Sequence, residues 1–224
     1  GTQGLDLCAY NLPDTLKPEA VTVVKGDLGW PLPEGDFSVS IEYVQSKRVE
    51  QIEVSREDGT FAQVVRLPEG EDVVLTVEGE TVGYNSQVVH MQGDPLGASF
   101  DMSLDIEPVA NGAPFELDDV QFATKKSQLS PKAEVMLQAL ANRMERQPGA
   151  TLDIEGHTDN VGSSSDNLAL SKARARAVKE FLTAHGVEPT RLSAAGFGES
   201  QPKTDNGTEA GRSANRRTEF SWRD

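Results

Sequence analysis

A carboxylate and a guanidinium, Asp159 and Arg174, carry the chemistry of most consequence in this 224-residue chain. Asp159 stands in the run Gly156-His157-Thr158-Asp159-Asn160-Val161-Gly162, and Arg174 follows in Leu170-Ser171-Lys172-Ala173-Arg174-Ala175. An arginine offers a bidentate fork to a carboxylate, and an aspartate accepts hydrogen bonds from an ammonium. Folded together, the two would read a zwitterion with both groups on one carbon. The same residues also permit a plainer arrangement, in which Asp159 pairs with Arg174 or caps a turn.

The elements that must position them are legible. Leu152 and Ile154 alternate with Asp153 and Glu155, which predicts a half-buried strand running into the loop that holds Asp159. A helix begins at Ser163-Ser164-Ser165, where any of the three serines could cap it, and stops at His185-Gly186. Leu170, Ala173, Ala177 and Phe181 form its expected core face, which puts Arg174 at the apolar rim, partly desolvated. Asn167 and Arg174 are seven positions apart, within about 20° of one stripe. Upstream, Ser130-Pro131 predicts the start of another helix, with Leu137, Leu140, Ala141 and Met144 on one face, Arg143 and Arg146 at its C-terminus and Pro148-Gly149 ending it. Further strands are expected at residues 192–197 and 218–222.

Residues 21–106 read differently. Phe37, Val39, Ile41 and Tyr43 alternate at period two, as do Val73, Leu75 and Val77, with turn signals at Asp58-Gly59, Leu67-Pro68-Glu69-Gly70 and Gly83. The expected fold class is therefore two domains. A small all-β antiparallel sandwich (21–106) precedes an α/β (α+β) domain with helices packed on a mixed sheet (114–224). Residues 1–20 form a linker and the tail of a preceding domain, and 107–113, ending at Asn111-Gly112-Ala113, form a second linker. Each half is expected to fold alone.

The net charge of −15 sits almost wholly in the first half, because residues 114–224 hold 15 basic against 16 acidic side chains. That acidity disfavours nucleic acid and anionic membranes. The single Cys8 excludes an internal disulfide, and the chain has no apolar run long enough to span a bilayer. Leu5-Asp6-Leu7-Cys8 does not fit a lipoprotein signal, so an export signal or lipid anchor is expected upstream.

From residue 120 to 220 the chain resembles the OmpA C-terminal family of peptidoglycan-binding domains. The resemblance rests on Gly156-His157-Thr158-Asp159, Gly162, Asn167, Leu170-Ser171, Arg174-Ala175, Val178, Leu182, Arg191-Leu192, Gly196-Phe197-Gly198-Glu199, Pro202 and Asn215-Arg216-Arg217. It implies that Asp159 and Arg174 clamp the amino and carboxylate ends of meso-diaminopimelate in the stem peptide. Thr158, Asn167, Arg216 and Arg217 would line the same groove. Two positions depart from the family pattern: Phe122-Ala123-Thr124-Lys125, where an acidic residue usually follows the phenylalanine, and Asp166, where an aromatic is frequent. Trp30-Pro31-Leu32, Glu57-Asp58-Gly59-Thr60-Phe61, Leu67-Pro68-Glu69-Gly70 and Gly83-Tyr84, in that order, resemble the carboxypeptidase-regulatory-like sandwich. The domain order resembles multidomain cell-envelope proteins of the Bacteroidetes type, including a component of the type IX secretion system.

These resemblances imply a non-enzymatic periplasmic protein, associated with the outer membrane, that binds peptidoglycan and holds outer-membrane or secretion-system proteins to it, with no cofactor and no metal. A second possibility makes the acidic sandwich the functional half, docking a partner or Ca²⁺. A third, a metal-dependent hydrolase built on Glu155, His157 and Asp159 at alternate positions, is set aside, because no further histidine lies near and no second carboxylate is placed as a base.

Overall fold

The alternation at Phe37, Val39, Ile41 and Tyr43 becomes strand β2 (Phe37–Tyr43) in a computed structural model of the chain. The structure describes residues 20–28, 32, 35–67, 71–79, 83–90, 100–103, 114–117 and 127–223. The expected tail at 1–19, the linker at 107–113, the turn at 68–70, Trp30-Pro31 and the 122–125 loop lie outside the described residues.

The first half contains β1 (Ala20–Asp27), β2, β3 (Arg48–Ile52), β4 (Thr60–Leu67), β5 (Val73–Gly79), β6 (Gly83–His90) and β7 (Phe100–Ser103). They form two sheets, β4-β1-β7 and β3-β2-β5-β6. All pairings are antiparallel except β1 with β7, which is parallel and departs from the expected all-antiparallel arrangement. The sheets share one core in which Val24, Phe61 and Val65 meet Val39, Ile41, Tyr43, Val73, Leu75 and Val77.

The second half contains β8 (Phe115–Glu116), α1 (Pro131–Arg146), β9 (Thr151–His157), α2 (Ser164–Ala184), β10 (Leu192–Gly198), α3 (Glu209–Asn215) and β11 (Thr218–Arg223). The sheet order is β10-β9-β11-β8. β9 and β10 run parallel while β11 is antiparallel to β9 and β8, so the sheet is mixed as expected. Ser130 caps α1 by accepting from the Ala133 N–H, with Pro131 in the first turn, and Ser163 is the serine that caps α2. Leu152, Ile154 and Phe220 point to the face covered by α1 and α2.

The expected core face of α2 needs correction. Its buried residues are Asn167, Ser171, Arg174, Ala175, Val178 and Leu182, while Ala173 is exposed and Leu170, Ala177 and Phe181 are half-buried. The helix is turned so that small and polar side chains face the sheet.

The two halves share a core. β5 is buried on both faces: Val73, Leu75 and Val77 point into the first-half core, whereas Val74, with Val44 and Tyr84, joins the cluster around α1. Tyr84 packs edge-on against Phe115 (5.1 Å) and Trp222 (6.2 Å). Arg143 and Arg146, expected at the helix C-terminus for its dipole, also cross to the first half, pairing with Glu78 (2.7 Å) and Glu42 (2.9 Å). Buried Asn142 donates to Glu42 Oε1 (2.8 Å) and to the Val44 carbonyl (2.9 Å). Asn142→Ala is expected to cost about 2 kcal/mol, because it strips partners from a buried carboxylate and a buried carbonyl; the denaturant midpoint measures it. Cutting at 111–112 is expected to leave a 113–224 piece that folds but melts below the whole chain, since α1, Phe115 and Trp222 lose Val44, Val74 and Tyr84. Circular dichroism of both pieces reads this.

Candidate functional site

Helix α2 sits almost on the backbone of β9 and β10, and glycines allow it. A Cβ at Gly156 would stand 2.3 Å from the Ser171 carbonyl oxygen, and one at Gly196 would stand 2.2 Å from the Lys172 nitrogen. Ser171, fully buried, fixes the contact by accepting from the Gly198 N–H (2.8 Å) and donating to the Leu168 carbonyl (3.0 Å). This approach brings Asn167 and Arg174 over the loop that follows β9.

There a cleft of about 530 Å³ opens, lined by Thr158, Asp159, Val161, Gly162, Asp166, Asn167, Leu170, Arg174, Glu209, Arg212 and Arg216. Its lining sets three carboxylates (Asp159, Asp166, Glu209) against three guanidiniums (Arg174, Arg212, Arg216). Such a balance favours a ligand that carries both signs over a net anion or cation.

Asp159 serves two local partners. Its Oδ1 accepts from the Val161 N–H (3.1 Å), a turn of the Asx kind, and its Oδ2 binds Arg216 Nη1 at 2.8 Å. Arg216 Nη2 reaches Glu209 Oε1 (3.0 Å), and Arg212 grips Glu209 Oε2 through Nε (3.1 Å) and Nη2 (2.8 Å). Hydrogen bonds from Arg216 and then Arg212 hold the Glu209 carboxyl below its usual range, and the bond to Asp159 raises the Arg216 guanidinium. Asn167 Nδ2 donates to the Asp159 carbonyl (3.2 Å) and to Glu199 Oε2 (2.5 Å). Glu199 also accepts from Ser164 (2.8 Å), and its pKa is lowered by Asn167 first and Ser164 second.

Arg174 is 2% exposed, so it is a core arginine that reaches the cleft from beneath and not the half-solvated rim residue expected. Burial lowers its pKa, with Asp159 opposing that shift and Arg216 adding to it. The Thr158 hydroxyl is buried with no hydrogen-bond partner among the described residues.

Five of the six expected site residues, Thr158, Asp159, Asn167, Arg174 and Arg216, therefore meet in one cleft. Arg217 does not line it: its Nε donates to Glu219 (2.6 Å) on the sheet face away from the helices. Arg216 caps the C-terminus of α3 in a bend, whereas Arg217 already leads into β11, so the two side chains part. Asn215 is a buried brace that accepts from the Lys203 and Thr204 N–H groups (2.8 and 3.0 Å) and donates to the Thr204 carbonyl (2.9 Å).

Glu209 and Arg212 were missed because α3 was not expected. The signal available was Thr208-Glu209, a capping threonine followed by an acidic first turn, and Thr208 does accept from the Gly211 N–H (3.0 Å). The hydrolase constellation is not assembled either: Asp159 lies beyond the end of β9 and turns to Arg216, away from Glu155 and His157.

His157 is fully buried and stacks on Phe197 (centroids 5.5 Å apart, planes at 17°). Burial, reinforced by Arg217, holds its imidazole down from 6.5 to about 4. Between those values the unfolded chain takes up a proton that the folded chain refuses. The stability is thus whole above about pH 6.5 and is lost as pH falls toward 4, by about 3 kcal/mol for this group. In the presence of a chelator, His157→Phe is expected to show a shallower fall of melting temperature over that range; an unchanged slope would assign the pH dependence to other groups.

The paired strands β9 and β10, the α2 contact through glycine, and the Asp159/Arg174 cleft all fall in one stretch of chain. Residues 121–216 match the OmpA family. Outer membrane porin F of Pseudomonas fluorescens is 44% identical over 114 residues, 51% of this chain and 35% of that protein. The peptidoglycan-binding protein ArfA of Mycobacterium tuberculosis is 35% identical over 101 residues, 45% of this chain and 31% of that protein. The crystal structure of the peptidoglycan-associated lipoprotein from Burkholderia pseudomallei aligns at 30% identity and a TM-score of 0.45, covering 46% of this chain and 88% of that one. The chain spans about a third of the length of these two curated relatives. Among the described residues no helix is long and apolar enough to cross a membrane.

Proposed function

We propose that the OmpA-like half binds peptidoglycan through the diaminopimelate of the stem peptide and thereby anchors an envelope assembly to the cell wall. The observation that carries this reading is the charge-balanced cleft, with the buried Asp159 and Arg174 both in its lining. The ligand ammonium joins Asp159, and the ligand carboxylate takes the guanidinium edges of Arg174 and of Arg216, which already leans on Asp159. Asn167 and the Thr158 hydroxyl, which has no hydrogen-bond partner among the described residues, add neutral contacts. The similarity to a relative described as peptidoglycan-binding supports the same ligand.

On this reading the chain is a binding protein and not an enzyme, sits in the periplasm at the outer membrane, and presents its acidic first half to outer-membrane or secretion-system proteins. Co-sedimentation with purified sacculi tests the core claim. The chain is expected to pellet with sacculi of the diaminopimelate type and far less with those of the lysine type, because lysine lacks the side-chain carboxylate that Arg174 and Arg216 receive. Failure to pellet with either would discard the reading, and equal pelleting would discard the diaminopimelate clamp.

A further inference from the structure

Opposite the helices, the central strands carry a second cluster that the cleft does not use. Glu155 and His157 lie at alternate positions on β9, and Glu219 on β11 is the cross-strand partner of Glu155. One ligand atom from each of the three lies within 4.8 Å of the others. His157 is fully buried, yet neither ring nitrogen has a hydrogen-bond partner among the described residues. Its Nε2 stands 3.8 Å from Glu219 Oε2, too far for a hydrogen bond. A buried imidazole left in this state is unusual, since buried polar groups are almost always satisfied.

We propose that His157, Glu155 and Glu219 form a divalent-cation site that prefers zinc. One nitrogen and two carboxylate oxygens suit Zn²⁺ better than Ca²⁺ or Mg²⁺, which take oxygen ligands. Tetrahedral zinc with bonds of about 2.0 Å separates its ligand atoms by about 3.3 Å, so ligand atoms within 4.8 Å of one another would draw together by up to about 1.5 Å around the ion. Its surroundings resemble the outer shell of a metal site. Glu219 Oε1 accepts from Arg217 Nε (2.6 Å), which leaves Oε2 turned toward His157, and Phe197 fixes the imidazole plane by stacking. Asp153, on the same face of β9, adds a third carboxylate, against which Arg217 is the nearby cation that acts on Glu155. Glu155 and Glu219 are half-buried, so a hydrated ion reaches them from solvent, and the fourth position remains for water. The bound ion would tie the end of β9, which leads to Asp159, to the start of β11, which follows Arg216.

The test uses the 224-residue chain in a Cys8→Ser background, stripped with chelator and dialysed against Zn²⁺ near neutral pH. Total metal analysis is expected to find one zinc per chain, with a raised melting temperature, and Ca²⁺ and Mg²⁺ in excess should not displace it. Glu155→Gln and Glu219→Gln are each expected to weaken zinc binding by at least about tenfold. Neither needs to repack the buried ring, so both remain informative if His157→Gln fails to fold. His90→Gln and His185→Gln should bind as the parent does. Absence of bound zinc at micromolar free metal, retention of full affinity in the Glu155→Gln/Glu219→Gln pair, or loss of zinc with either distant histidine would overturn the site.

Discussion

Asp159→Ala is expected to lose most sacculus binding while melting close to the parent chain. The carboxylate makes one backbone hydrogen bond and one ion pair with Arg216, and Arg216 keeps Glu209 when Asp159 is gone. Removing it therefore costs the fold one backbone hydrogen bond and one partly exposed ion pair, and takes from the cleft a carboxylate whose charge favours the Arg174 guanidinium. The loss in binding is expected at roughly 1 to 3 kcal/mol, about five- to 150-fold in affinity for a diaminopimelate stem peptide. Arg174 should behave differently. At 2% exposure its side chain is part of the core, so Arg174→Ala is expected to lose binding and stability together. Arg174→Lys fills more of the space, so it is expected to recover part of the stability but little of the binding, because an ammonium cannot supply the bidentate fork. The double alanine variant should lose less affinity than the two singles combined, since both groups act on one ligand. Calorimetric binding beside melting temperature separates these effects. Unchanged affinity in Asp159→Ala would leave Asp159 as a turn cap and a partner for Arg216, with no role in recognition.

The largest effect on stability is expected from one added methyl group. Gly196→Ala places a Cβ 2.2 Å from the Lys172 nitrogen and 2.6 Å from its Cα, and both are helix backbone. No rotamer relieves that clash; α2 must move off the sheet as a body. A loss of about 3 kcal/mol or more is expected, and Gly156→Ala should match it because its clash is with the Ser171 carbonyl at 2.3 Å. Moving α2 also shifts Asn167 and Arg174, so sacculus binding should fall in both variants. Gly149→Ala is the control. Nothing lies within 4 Å of a Cβ there, and its denaturant midpoint should change by no more than about 0.5 kcal/mol in stability. If Gly196→Ala unfolds at the parent midpoint, close backbone packing is not what sets the α2 position.

The sequence by itself determined what local rules can decide. Ser130-Pro131 and the serine run start helices because a side-chain oxygen next to free N–H groups is satisfied wherever the rest of the chain lies. The period-two runs at 37–43, 73–77 and 152–155 became strands for a similar reason. The cleft members Asp159, Asn167 and Arg174 were readable because one loop and one helix carry them all.

Tertiary structure decided the rest, and each case turns on a contact between distant residues. α2 faces the sheet with Ser171 and Ala175, because Gly156 and Gly196 admit its backbone more closely than a leucine face would allow. That rotation is what buries Arg174. The partner of Asp159 was hidden because Arg216 lies 57 residues along the chain and arrives through α3, a seven-residue helix too short for periodicity to show. The second buried face of β5 was equally hidden. Val74 and Thr76 read as the outward side of a sheet, and only the docking of α1, with Tyr84 against Phe115 and Trp222, takes that side out of water.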